Sequence, residues 1–74
     1  MPAYLRPTSA LRVHIGGKDE VEVEPGRSVR ATLASLGIKP ELIALVVVAG
    51  EQKTKDYVIQ EGDIVKVLAV IGGG

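Results

Sequence analysis

The 74-residue sequence predicts an α+β domain in which a mixed sheet of four to five strands wraps one short helix. Three observations carry that expectation. Two period-two runs, Leu11-Val13-Ile15 and Val21-Val23, are separated by turn residues and read as a hairpin. One short helical stripe, Val29, Leu33 and Leu36, lies between a capping serine and a glycine. Two aliphatic runs, Leu45-Val46-Val47-Val48-Ala49 and the stretch from Ile64 to Ile71, are rich in the β-branched residues that suit buried strands.

Residues 1–9 contain Pro2 and Pro7 and no apolar period, so they read as a flexible extension before a domain of residues 10–71. In the first strand Arg12 and His14 point away from Leu11, Val13 and Ile15. Gly16-Gly17-Lys18-Asp19 supplies the turn, and Glu20, Glu22 and Glu24 form a stripe on the second strand. His14 then reads as a solvated neighbour of that glutamate stripe, an ordinary cross-strand pairing.

Pro25-Gly26 closes the hairpin and Ser28 is placed to cap the helix. Gly37 ends it at the left-handed position, with Ile38 set to touch Leu33. A helix of two to three turns is unstable alone, so it must lie on the sheet. After the inner strand, residues 50–56 are polar and read as a loop. Tyr57-Val58-Ile59 reads as a short strand or turn, and Glu61-Gly62-Asp63 as a tight turn before the last strand. Helix between hairpin and later strands is the β-grasp order.

Composition narrows the function. Nine basic residues balance nine acidic ones, which argues against direct nucleic-acid binding and against an anionic membrane surface. No apolar run is long enough to span a membrane and no secretory leader is visible, so a cytoplasmic protein is expected. Without cysteine, and with one histidine, the chain cannot assemble a metal site or a nucleophilic dyad. No phosphate-cradling loop is present either, so no bound cofactor and no intrinsic enzymatic activity are expected. The distinctive feature is the ending, where the last strand runs into Gly72-Gly73-Gly74, a flexible tail of residues 72–74. Glycines make it slim and free in φ and ψ, but entropically costly to fix. Such an end is useful chiefly when another protein grips it; the plain alternative is a frayed terminus.

Val48-Ala49-Gly50-Glu51-Gln52, then Asp56-Tyr57-Val58-Ile59-Gln60, then a strand ending in Gly73-Gly74, resembles the second half of ubiquitin nearly in register. The short helix and the Glu61-Gly62-Asp63 turn look more like the prokaryotic sulfur carriers of the ThiS and MoaD type. The segment from Val65 to Gly74 is similar to the small archaeal modifier proteins. The resemblance spans residues 11–74 and implies a ubiquitin-like β-grasp carrier. It implies that an E1-like enzyme, using its own ATP and Mg, adenylates the Gly74 carboxylate. The product would be a thiocarboxylate for a sulfur-accepting enzyme, or an isopeptide bond to a target-protein lysine. Gly72 and Gly73 would be read as the slender arm, active without trimming. Val47 and Leu68, with Lys66 between them and Val70 beyond, would form the partner-binding surface. Ubiquitin's tail carries arginines where Val70 and Gly72 stand here, which favours a sulfur-carrier partner. The competing reading is a non-covalent β-grasp interaction module whose glycine tail is incidental.

Overall fold

The computed structural model describes residues 1–69; residues 70–74, and with them the expected flexible tail, lie outside the described residues. Strand β5 (Ile64–Ala69) is the middle of a five-stranded sheet. On one side it runs parallel to β1 (Ala3–Pro7), which is flanked in turn by antiparallel β2 (Val21–Val23). On the other side it runs antiparallel to β3 (Ile43–Val48), flanked by β4 (Glu51–Lys53). With the single α-helix α1 (Val29–Ser35), this is the mixed α+β architecture that the sequence predicts.

The helix begins and ends where its residues dictate. The Ser28 hydroxyl accepts the Ala31 amide at 3.1 Å, which satisfies one of the free donors of the first turn. The carbonyls of Lys55 and Tyr57 accept the amides of Arg30 and Val29, so the loop before β5 ties down the same turn. At the other end Gly37 adopts φ +79°, letting its amide reach the Ala34 carbonyl and the Ile38 amide reach that of Leu33. Val29, Leu33 and Ile38 are thereby driven fully into the core, against Leu5, Val46, Ile59, Val65 and Val67. Thr32, the one buried polar residue of the helix, donates its hydroxyl to the Ser28 carbonyl at 3.0 Å.

Three sequence expectations are corrected. Residues 1–9 are not a loose extension, because residues 3–7 form β1, paired on both sides, with Ala3 and Leu5 fully buried. Four alternating residues framed by prolines are too short a signal to read as a period. With that position filled, Leu11, Val13 and Ile15 are not a strand but part of a 3₁₀ helix, Ser9–Ile15. Leu11 and Ile15, four apart, face the core, while Val13 is 76% exposed. His14 is exposed on that helix and is no cross-strand neighbour of the glutamates. The polar stretch after β3 is not all loop, since residues 51–53 pair back on β3 as β4. Its two-residue turn places Ala49 at φ 54° and Gly50 at φ 79°, both left-handed as a tight hairpin requires. Alanine rarely adopts that conformation, so the turn was hidden from the sequence. Tyr57-Val58-Ile59, read as a short strand or turn, contributes only an isolated bridge between Val58 and Ser28.

The turn before β5 is braced by Asp63, whose Oδ2 accepts the Tyr57 hydroxyl at 2.6 Å and the Gln60 amide at 2.9 Å. The hydrogen bond to Asp63, then burial and the negative charge of Asp63, raise the Tyr57 pKa above 10.0. The folded chain therefore holds a proton that the unfolded chain releases near pH 10.0. The brace is fully present below that pH and is lost as pH rises through the higher folded value. Tyr57→Phe is expected to cost about 1 kcal/mol at neutral pH. It should also flatten the loss of stability above about pH 10, as urea melts on either side of that pH would read.

Candidate functional site

The outer face of the sheet, away from α1, is the candidate site. Alternation along β5 sends Val65 and Val67 inward to zero exposure and turns Ile64, Lys66 and Leu68 outward. Strand register then lines up neighbours across the sheet. Lys66 stands between Arg6 of β1 and Val47 of β3, and Leu68 stands beside Leu45. Tyr4 pairs with Ile64 at the other end of the strand. The result is an aliphatic surface of Leu45, Val47, Ile64 and Leu68 around one lysine.

The structure thus brings together three of the residues the sequence pointed to. Lys66 is exposed, Leu68 is 37% exposed and Val47 is half-buried. The N-terminal segment stands beside β5 as a strand rather than over this face. Val70, Gly72, Gly73 and Gly74 lie outside the described residues. Sequence reading missed Arg6 and Tyr4, which reach the face only because residues 3–7 enter the sheet. The alternation of Ala3 and Leu5 with Tyr4 and Arg6 was the available signal. Leu45 was hidden in a run of aliphatics, where a bulge between Ile43 and Leu45 sets which side chains turn outward.

Two cations, Arg6 and Lys66, meet on this face, with Glu22 beside Tyr4 at its β2 side. Arg6 and Lys66 are direct neighbours across two strands, an arrangement that disfavours itself. Arg6 reaches Glu20 at only 3.7 Å with both side chains about half exposed, a weak pairing. Lys66 has no ion-pair partner among the described residues. A shallow depression of about 300 Å³ is lined by Arg6, Val47, Ala49, Gly50, Ile64 and Lys66. A groove of about 340 Å³ runs beside it between β5 and the 3₁₀ helix with its following loop, where Arg12 and Asp19 pair at 3.2 Å. Neither hollow holds a catalytic constellation. Among the described residues no group of three or more His, Asp or Glu side chains is placed to hold a metal ion, and no helix is long and apolar enough to cross a membrane. An exposed aliphatic surface around a lysine suits contact with another protein rather than chemistry.

The family model described as ThiS family matches residues 9–74, nearly the whole chain, with β5 and the closing glycines of the sequence included. The chain belongs to the ThiS family. Members of this family are small β-grasp carriers rather than enzymes, in keeping with the sheet and helix described above. A relative, the sulfur carrier protein TtuB of Thermus thermophilus, is 40% identical over 58 residues, which is 77% of this chain and 86% of that protein. The family match starts after β1, so this ThiS-family chain builds a central strand from residues that lie outside the match.

The two faces of β5 give a direct test. Leu68→Asp places a charge on the exposed side and should leave the melting temperature within a few degrees, since surface substitutions usually change stability by about 0.5 kcal/mol or less. Where this face docks a partner protein, a charge at the centre of the apolar contact would cost more than about 1.4 kcal/mol and weaken that docking at least about tenfold. A Leu68→Asp chain that unfolds would place Leu68 in the core.

Proposed function

We propose that this chain is a cytoplasmic sulfur carrier whose reactive group is the carboxylate of Gly74. An E1-like adenylating enzyme, supplying the ATP site and Mg, joins that carboxylate to AMP and releases pyrophosphate. The acyl adenylate is a good acyl donor, where a free carboxylate is a poor one. Sulfide then attacks the carbonyl carbon, the bond to AMP breaks, and a thiocarboxylate remains. Delivered to a sulfur-accepting enzyme, that sulfur serves transfer-RNA thiolation or the making of molybdopterin or thiamine. The same acyl adenylate could pass instead to a lysine amine of a target protein and form an isopeptide bond. Gly72 and Gly73 give the arm its slimness, because a side chain there would collide with the walls of a channel leading to the nucleotide. Val47, Lys66, Leu68 and Val70 make the docking surface that positions the arm.

The observation that carries this reading is the family match across residues 9–74, which takes in Val47, Lys66 and Leu68 of the outer face and the closing glycines of the sequence. The similarity to a protein named as a sulfur carrier supports the same chemistry. The decisive experiment incubates the protein with an E1-like enzyme of its own source, ATP, Mg and a sulfide donor, and weighs the intact chain. Replacement of one oxygen by sulfur is the expected mass change. An unchanged mass with an enzyme shown to be active on another carrier would favour the alternative, a β-grasp interaction module whose tail is incidental.

A further inference from the structure

Two segments of this chain carry the residues that one strand position needs. In β1, between β2 and β5, Ala3, Leu5 and Pro7 face inward while Tyr4 and Arg6 face out. Eight residues later Leu11, Val13 and Ile15 alternate with Arg12 and His14 in the same order. An even shift preserves which side chains face the core. Leu11 would stand opposite Val23 in place of Ala3, Val13 opposite Val21 in place of Leu5, and Ile15 beside Val67 in place of Pro7. Residues 16–18 would then close the hairpin to β2, one of the common loop lengths. Gly16 and Gly17 already lie at φ 71° and 79°.

Three observations favour such an exchange. The 3₁₀ helix that now holds Leu11 to Ile15 is seven residues long, whereas runs beyond about three or four are uncommon. It contains β-branched Val13 and Ile15 and leaves Val13 largely in water. The strand now in place ends on Pro7, which has no N–H to donate to a ladder and pairs with β5 alone, beyond the end of β2. Finally, the family match begins at residue 9, so it takes in Leu11 to Ile15 and leaves β1 out.

We propose that residues 11–15 exchange with residues 3–7 for the strand position between β2 and β5, releasing residues 1–8 as an N-terminal arm. The exchange re-dresses the candidate docking face. Arg12 takes the place of Tyr4 beside Ile64, and His14 takes the place of Arg6 beside Lys66. The groove that Pro7, Arg12 and Asp19 line beside β5 is lost. A partner that prefers one of these two surfaces selects one arrangement of the strand, and so couples docking to the state of the N-terminus.

The test uses the full chain with a charge placed in each segment. Leu5→Asp would unfold a protein limited to the present β1, because Leu5 has zero exposure. With exchange available, the Leu5→Asp chain stays folded, loses amide exchange protection at residues 3–7 and gains it at residues 11–15. Val13→Asp alone stays folded in the present arrangement, and Leu5→Asp with Val13→Asp loses cooperative unfolding altogether. An unfolded Leu5→Asp chain, continued protection of residues 3–7 in that variant, or a folded double variant overturns the proposal.

Discussion

Removing Gly74 is expected to abolish the mass increase that an E1-like enzyme, ATP and sulfide produce, while the melting temperature stays where it was. One extended residue spans about 3.3–3.6 Å, so the deletion draws the carboxyl group back by about that distance along its channel. Acyl transfer needs the reacting atoms about 3–3.5 Å apart and aligned, and a misplacement of about 1 Å can cost about 100-fold in rate. The remaining Gly72-Gly73 end is just as slender, so the variant separates reach from bulk. No stability change is expected, because the buried residues of β5 end at Val67. Intact-mass measurement beside a thermal melt reads both effects. A mass shift that survives the deletion would mean that the position of the carboxyl group is not what the activating enzyme recognises.

Leu33→Ala is expected to produce the largest loss of stability available to a single truncation on the helix. Leu33 is fully buried and packs where α1 meets the sheet, and its carbonyl also accepts the Ile38 amide that closes the helix. Truncating a buried leucine costs about 2–5 kcal/mol. A chain of this length is stable by only about 4–11 kcal/mol. Each kcal/mol lowers the melting temperature of a domain this small by about 4–8 °C, so a fall of roughly 10–40 °C is expected. Urea melts would show a lower midpoint with an unchanged slope, since the surface exposed on unfolding is nearly the same. A loss below about 1 kcal/mol would show that the site collapses around the missing atoms.

Much of the fold was legible because local chemistry and tertiary position agreed. Ser28, Gly37 and the stripe of Val29 and Leu33 describe a capped helix that packs on one side, and that helix is present. The alternation in β5 sorted Val65 and Val67 from Lys66 and Leu68, which is why part of the outer face could be drawn from sequence. Arg6 was not legible, because its place depends on a strand whose signal is only four residues long between two prolines. β4 was not legible either: Glu51-Gln52-Lys53 has no apolar period, and only an edge beside β3 makes it a strand.

The sequence by itself determined the class of fold, the capped helix, the inward and outward faces of the last strand and the resemblance of residues 11–74 to glycine-ended carriers. Those follow from side-chain periodicity and from residues whose backbone preferences are local. Only the tertiary structure decided which of two similar segments occupies the place beside β5. That choice compares two long-range pairings, and the residues of either segment satisfy the same face of the same core.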